Sequence, residues 1–244
     1  MKNYSNRYIL SLFALFFIAP HQMRAAAAQT APGKSKNLFE ACINDKIDDV
    51  QFWLNQKTDV NAHYTFDGRD YRCTKNPNDN TPLIKAIEKG NIDIVNLLIE
   101  HGADIFSIYQ RQTPLMHAIT KAVSSNNQNY LAIIQSLIQE SDKLGRKQEY
   151  LAIMDPNMGE TALTLAIKTE KTTNVCLDAI SILIDHIGIN SLDAGGWTPL
   201  MRAVHKAHSL AIIDLLIDKG ANINAINSYG HTALMVAIRE KTTI

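Results

Sequence analysis

Apolar positions in this chain recur in short bursts at helical spacing, separated by stretches rich in Gly, Asn, Asp and Ser. The clearest burst is Ile92, Ile94, Val95, Leu97, Leu98 and Ile99, and Ile212, Ile213, Leu215, Leu216 and Ile217 repeat it. Their i, i+3, i+4 spacing lines one face of a helix and lacks the alternation of a strand. Gly102 and Gly220 stand just beyond these bursts, where a left-handed residue commonly closes a helix.

A second, shorter phrase precedes such bursts and occurs five times: Thr81-Pro82-Leu83, Thr113-Pro114-Leu115, Thr161-Ala162-Leu163, Thr198-Pro199-Leu200 and Thr232-Ala233-Leu234. Each is followed by a small residue, Ala86, Ala118, Ala166, Ala203 or Ala237, with Ile or Val next to it. The steps between threonines are 32, 48, 37 and 34 residues. Each phrase reads as a helix start. The threonine hydroxyl satisfies free N–H groups of the first turn, and proline is favoured at the first helical position. A residue preceding proline is also pushed into the extended backbone that an N-cap needs. The recurring alanine lets neighbouring helices approach closely. The predicted unit is therefore helix, short turn, helix, extended turn. One such pair cannot bury its apolar faces alone, so the pairs must stack.

These residues resemble ankyrin repeats: Thr-Pro-Leu opens the first helix, a Leu-Leu pair sits in the second, and Gly-Ala-Asp or Gly-Ala-Asn closes the unit. The stretches Asn78–Asp104 and Gly195–Asn224 are near-complete matches, and Leu38–Ala62 reads as a first repeat with a divergent start. The resemblance runs from Leu38 onward. It implies an all-α ankyrin-repeat solenoid of about five repeats plus a C-terminal half repeat. The repeats fall near 38–64, 78–108, 109–155, 156–193, 194–227 and 228–244. The histidine that often follows Thr-Pro-Leu in the family is replaced here by Ile84, Met116, Thr164, Met201 and Met235, so the packing there is expected to be more apolar. Lys57 stands where Gly102 and Gly220 stand, which costs ~1 kcal/mol for a side chain with a Cβ and predicts a looser turn. Three insertions break the period: His63–Pro77, which carries Tyr64, Phe66, Tyr71 and Cys73; Ser124–Asn129; and Ser141–Met154, expected as a lengthened exit turn. Insertions of this kind map to loops, often on the binding face.

Composition narrows the function. Apolar residues make up 46% of the 244, too many for a disordered chain. The 24 basic residues balance 24 acidic ones, without the basic excess of a nucleic-acid binder. At the N-terminus, Lys2 and Arg7 precede an apolar run, Tyr8–Ala19, and then Pro20 and the small residues Ala25–Ala28. That order is the layout of a secretory signal over residues 1–28, followed by a short linker, 29–37; an uncleaved amphipathic anchor is the alternative. The run is shorter than the ~20 residues a membrane span needs. Cleavage removes Lys2, Arg7 and Arg24 and leaves 21 basic against 24 acidic residues. The expected location is the periplasm or the secreted fraction, with no stable membrane anchor.

Candidate chemistry is sparse. Cys42, Cys73 and Cys176 include no Cys-x-x-Cys pair. In an oxidising compartment Cys42 and Cys73 form a candidate disulfide that would pin the first insertion to the solenoid end. His205 and His208 are three apart without a carboxylate or thiol ligand nearby, so no metal site is assigned. Dinucleotide, P-loop and nucleophile-elbow motifs do not occur. No cofactor and no catalytic residue is assigned.

The resemblance implies a binding module for a protein partner. The turn before the threonine and the exposed positions of the first helix would line a concave face. Carried onto this chain, those positions are Trp197, Arg202 and His205, then Tyr229, His231 and Arg239, with Tyr109 and His117 extending the face. Trp, Tyr and Arg are the residues enriched in interface hot spots. Two other classes stay open: a redox- or metal-handling exported protein using the cysteines and histidines, and a secreted effector that binds a host protein. Leu234 and Ile238 on the last helix have no following helix in the sequence to cover them, which leaves room for weak self-association at that end.

Overall fold

A computed structural model describes residues 35–76, 79–156, 159–168, 172–206 and 209–241. Residues 1–28, expected to form a secretory signal, most of the expected linker and His208 lie outside the described residues. Helices come in consecutive pairs: α1 (Leu38–Ile43) with α2 (Ile47–Asn55), α3 (Pro82–Lys89) with α4 (Ile92–Glu100), and α5 (Pro114–Ser125) with α6 (Asn129–Lys143). After the extra helix α7 (Lys147–Ala152) come α8 (Ala162–Ile167) with α9 (Asn174–Ile187), then α10 (Pro199–Lys206) with α11 (Leu210–Asp218), and last α12 (Ala233–Lys241). First helices pack on first helices in the order α1, α3, α5, α8, α10, α12, and second helices in the order α2, α4, α6, α9, α11. The result is a two-layered stack in which each unit touches mainly its neighbours, the organisation that the repeat demands.

The threonines do what the phrase predicted. Thr81, Thr113 and Thr161 have extended backbones, and their hydroxyls accept from the N–H of Ile84, Met116 and Thr164. Thr198 and Thr232 accept from Met201 and Met235 at 3.3 and 3.4 Å. The small residues Ala86, Ala118 and Ala166 are fully buried at the contacts between first helices. Ile84, Met116 and Met201 are buried apolar groups. Thr164, also buried, turns its hydroxyl back onto the Thr161 carbonyl at 3.0 Å. The layer contact at these positions is therefore predominantly apolar, as the missing histidine implied.

The exit turns also repeat. Gly102 and Gly220 have φ of 84° and 87°, and Lys57 takes the same left-handed region at 55°. The bond that closes the turn lengthens from 3.0 Å (Ala103 N–H to Leu98) and 2.9 Å (Ala221 N–H to Leu216) to 3.4 Å at Thr58 N–H to Trp53. The first turn is the looser one. Asparagines then tie one repeat to the next. Asn61 donates to the Gly102 carbonyl (3.1 Å) and accepts from Asp104 N–H (2.7 Å), and Asn190 accepts from Asn222 N–H (2.8 Å).

Two insertions expected as turns or loops carry their own structure. Residues after Ala62 form an antiparallel hairpin of β1 (His63–Phe66) and β2 (Tyr71–Thr74). The hairpin is held because Tyr64 lies 4.7 Å from Phe39 in a stacked pair and Tyr71 lies 5.0 Å from the same ring. Within Ser141–Met154, α7 docks by burying Tyr150 and Leu151. Tyr150 meets Phe106 edge-on at 5.0 Å, and the Arg146 guanidinium covers the Phe106 ring at 3.8 Å. In both cases an aromatic anchor inside the insertion meets a ring supplied by the repeats. The stack's last end is apolar: Leu234, Met235 and Ile238 of α12 and Ile217 of α11 are exposed.

The Cys42–Cys73 bridge is not formed, and all three cysteines are free thiols. Cys42 is packed into the core between α1 and its neighbours, whereas Cys73 is on the solvent side of β2. The hairpin is secured by its aromatic rings, and a covalent link is not needed to hold it.

Candidate binding surface

The turns that precede Thr198 and Thr232 are each built around one buried polar side chain. In the turn before α10, Asp193 Oδ1 accepts from Gly195 N–H (2.9 Å) and Trp197 N–H (3.1 Å), while Oδ2 accepts from Arg202 Nε (2.5 Å). The Asp193 side chain is only 4% exposed. In the next repeat Asn227 does the same work, with Oδ1 accepting from Tyr229 N–H (2.9 Å) and His231 N–H (3.0 Å). The two turns touch, since Ser228 Oγ donates to the Gly195 carbonyl at 3.3 Å. Gly196, at φ 69°, lies so close to Ser228 that a Cβ there would stand 2.2 Å from its hydroxyl oxygen. These turns are thus rigid brackets that fix where Trp197 and Tyr229 stand.

Of the residues selected from the sequence, the structure assembles three local groups. Trp197, Arg202 and His205 form one: the guanidinium lies 4.8 Å from the indole ring and the imidazole 5.1 Å. Arg202 is already committed to Asp193, so its charge is largely used within the fold. Tyr229 and His231 form the second group, 6.4 Å apart, and Tyr229 is 74% exposed. Arg239, also exposed, lies further along α12. The third group is Tyr109 with His117, at 5.5 Å. Here the sequence reading needs correction: His117 is buried, donating from Nε2 to the Tyr109 carbonyl (3.1 Å), so only Tyr109 offers surface. Burial pushes the His117 imidazole below its ordinary range, against the opposing pull of that carbonyl.

Beside Trp197 runs a groove of about 210 Å³. Leu151 and Met154 from α7 and its exit, Leu163, Ile187, and Leu192 next to Asp193 line it, with Thr161, Ser191 and Gln148 as its polar edge. Leu192 is an exposed apolar group at its rim. This part of the surface was missed in the sequence because α7 was read as a turn. Asp193 and Asn227 had a legible signal, since each stands five residues before its threonine with a glycine between; an Asp or Asn there turns its oxygen onto the backbone two residues on. Among the described residues no group of three His, Cys, Asp or Glu is placed to hold a metal ion, and no helix is long and apolar enough to cross a membrane.

The family model for ankyrin repeats (3 copies) matches residues 38–144 and 121–227. The chain belongs to the ankyrin-repeat family. Among curated proteins this ankyrin-repeat chain is 30% identical over 156 residues to ankyrin repeat domain-containing protein OPG015 of Monkeypox virus, covering 63% of the chain and 32% of that protein. It is 28% identical over 207 residues to palmitoyltransferase AKR1 of Lachancea kluyveri, covering 84% of the chain and 24% of the enzyme. The chain thus spans a third or less of either relative. Among solved structures it is similar to an ankyrin repeat domain from Acinetobacter baumannii AYE (TM-score 0.59, 25% identity), with 84% and 92% of the two chains covered. It is also similar to a chain from the complex of the predatory endopeptidase Bd0816 of Bdellovibrio bacteriovorus with immunity protein Bd3460 (TM-score 0.58, 25% identity, 86% and 94% covered).

Proposed function

We propose that this ankyrin-repeat chain is a protein-binding scaffold that acts after export, in the periplasm or beyond the cell, and carries no chemistry of its own. The observation that supports this reading best is the pair of bracketed turns. Asp193 and Asn227 fix the backbone at Trp197 and Tyr229 in adjacent repeats, with the Trp197 ring half-buried against the core and the Tyr229 ring exposed. Preorganised aromatic groups beside an apolar groove lose little freedom on binding, and such groups dominate interface energetics. The related chain taken from an endopeptidase–immunity protein complex is in keeping with a protein partner. Export rests on the layout of residues 1–28, and a mature chain beginning near Ala28 or Gln29 in N-terminal sequencing is the expected result. Burial pushes Cys42 up to about 12 and Cys176 up to about 11, the reverse of the shift that a reactive thiol needs, so neither of these two supports a redox reading.

The test is the double substitution Trp197→Ala with Tyr229→Ala, measured against the protein recovered with the exported chain. Affinity should fall by more than about tenfold, with helical content nearly unchanged; the single variant Tyr229→Ala, at the exposed ring, should weaken binding with melting unchanged as well. Unaltered affinity would move the binding surface elsewhere on the array.

A further inference from the structure

At the other end of the array the inserted hairpin encloses a second cleft of about 350 Å³, at the lower end of the size range of ligand pockets. Aromatic rings form part of its lining. Phe39 carries the stacked Tyr64 and the tilted Tyr71, Phe66 lies 5.1 Å from Tyr71, and Tyr109 closes the far side. Its polar lining is Asp79, Asn80, Lys85 and Gln110 together with Thr65.

Two oxygen acceptors there lack a cation or a donor. Asn80 is buried and fixed by backbone bonds to Tyr64 at 2.8 and 3.2 Å, yet its Oδ1 receives no hydrogen bond among the described residues. The Asp79 carboxylate takes neutral donors, Thr74 Oγ1 (2.5 Å) and Asn76 Nδ2 (3.2 Å), and makes no ion pair among the described residues. The ammonium group lining the cleft, Lys85, is drawn to Glu88 at 2.5 Å. The charged groups lining the cleft are thus Asp79, without an ion pair among the described residues, and Lys85, already paired with Glu88. Aromatic faces attract a cation, a flat guanidinium stacks on them better than a compact ammonium, and its fork of N–H groups suits oxygen acceptors.

We propose that this cleft receives an arginine side chain of the protein partner, with Phe66, Tyr71 and Tyr109 flanking the guanidinium and the Asp79 carboxylate accepting its N–H groups. The assignment rests on the reading of the chain as a protein-binding scaffold, but its test needs no partner. The purified full chain is titrated with Nα-acetyl-arginine N-methylamide and followed through its aromatic NMR resonances. Saturable shifts are expected at Tyr64, Phe66, Tyr71 and Tyr109, with the Trp197 indole unmoved. The citrulline counterpart, neutral and nearly isosteric, should bind at least about tenfold more weakly. Asp79→Asn, which keeps the shape of the side chain, should weaken the arginine probe by about fivefold or more at unchanged melting temperature. Equal binding of the citrulline or lysine counterpart, shifts centred outside the cleft, or no saturation would each overturn the proposal. A negative titration leaves the Trp197 surface standing, and a failed Trp197 surface leaves the titration unchanged, so the two readings fail separately.

Discussion

Asp193 is the residue whose loss should separate bracket from charge. Its carboxylate serves two backbone N–H groups through Oδ1 and the Arg202 guanidinium through Oδ2. Asp193→Ala removes all three. Two backbone donors left without partners cost about 1 kcal/mol each, and a mostly buried guanidinium deprived of its carboxylate adds about 1–3 kcal/mol. Because the Arg202 side chain is 25% exposed, the lower part of that range applies, for a total of ~3–4 kcal/mol. Asp193→Asn keeps an oxygen for both N–H groups, as Asn227 does naturally one repeat later. It loses only the ionic part, and the expected cost is about 1–2 kcal/mol. The assay is urea unfolding in a Trp53→Phe background, so that fluorescence reports Trp197 alone while circular dichroism reports the whole array. In a stack with nearest-neighbour coupling, the fluorescence transition of the alanine variant should precede the dichroism transition. Equal destabilisation by Asn and Ala would refute the argument, because the charge would then matter and the bracket would not.

Three further outcomes follow from the same geometry. Lys57→Gly should stabilise the first repeat by ~0.5–1 kcal/mol, since relief of the left-handed strain outweighs the added freedom of the unfolded chain; a lower urea midpoint would contradict it. A thiol reagent added to native protein isolated without reductant should modify Cys73 rapidly, and Cys42 and Cys176 only on unfolding; no free thiol at Cys73 would show that the bridge to Cys42 forms after all. His117, with its folded pKa depressed below 6.5, binds its proton more weakly in the native state than in the unfolded one. Stability should therefore fall as the pH drops from about 7.5 to about 5, and His117→Gln should flatten that slope; an unchanged slope in the variant would assign it to other groups.

The repeat, its helix starts and its closing turns were legible in the sequence because they are local. A threonine cap, a proline at the first helical position and a left-handed glycine act within a few residues, so the phrase at Thr81 or Thr198 carries its own explanation. Lys57 shows the same locality, for its strained turn was readable from one residue in register with two glycines. What the residues between repeats would do was not local. His63–Pro77 and Ser141–Met154 read as loops, yet Phe39 lies 24 residues before His63 and still captures the hairpin through Tyr64 and Tyr71. Phe106 likewise waits far upstream of Tyr150 to seat α7. Similarly, His117 was placed on the binding face by register, whereas burial against the Tyr109 carbonyl removed it. Local backbone chemistry determined the repeat. Which insertion folds, which cysteine is buried and which aromatic ring stays free depended on surfaces brought together only by stacking, and no short-range pattern encodes them.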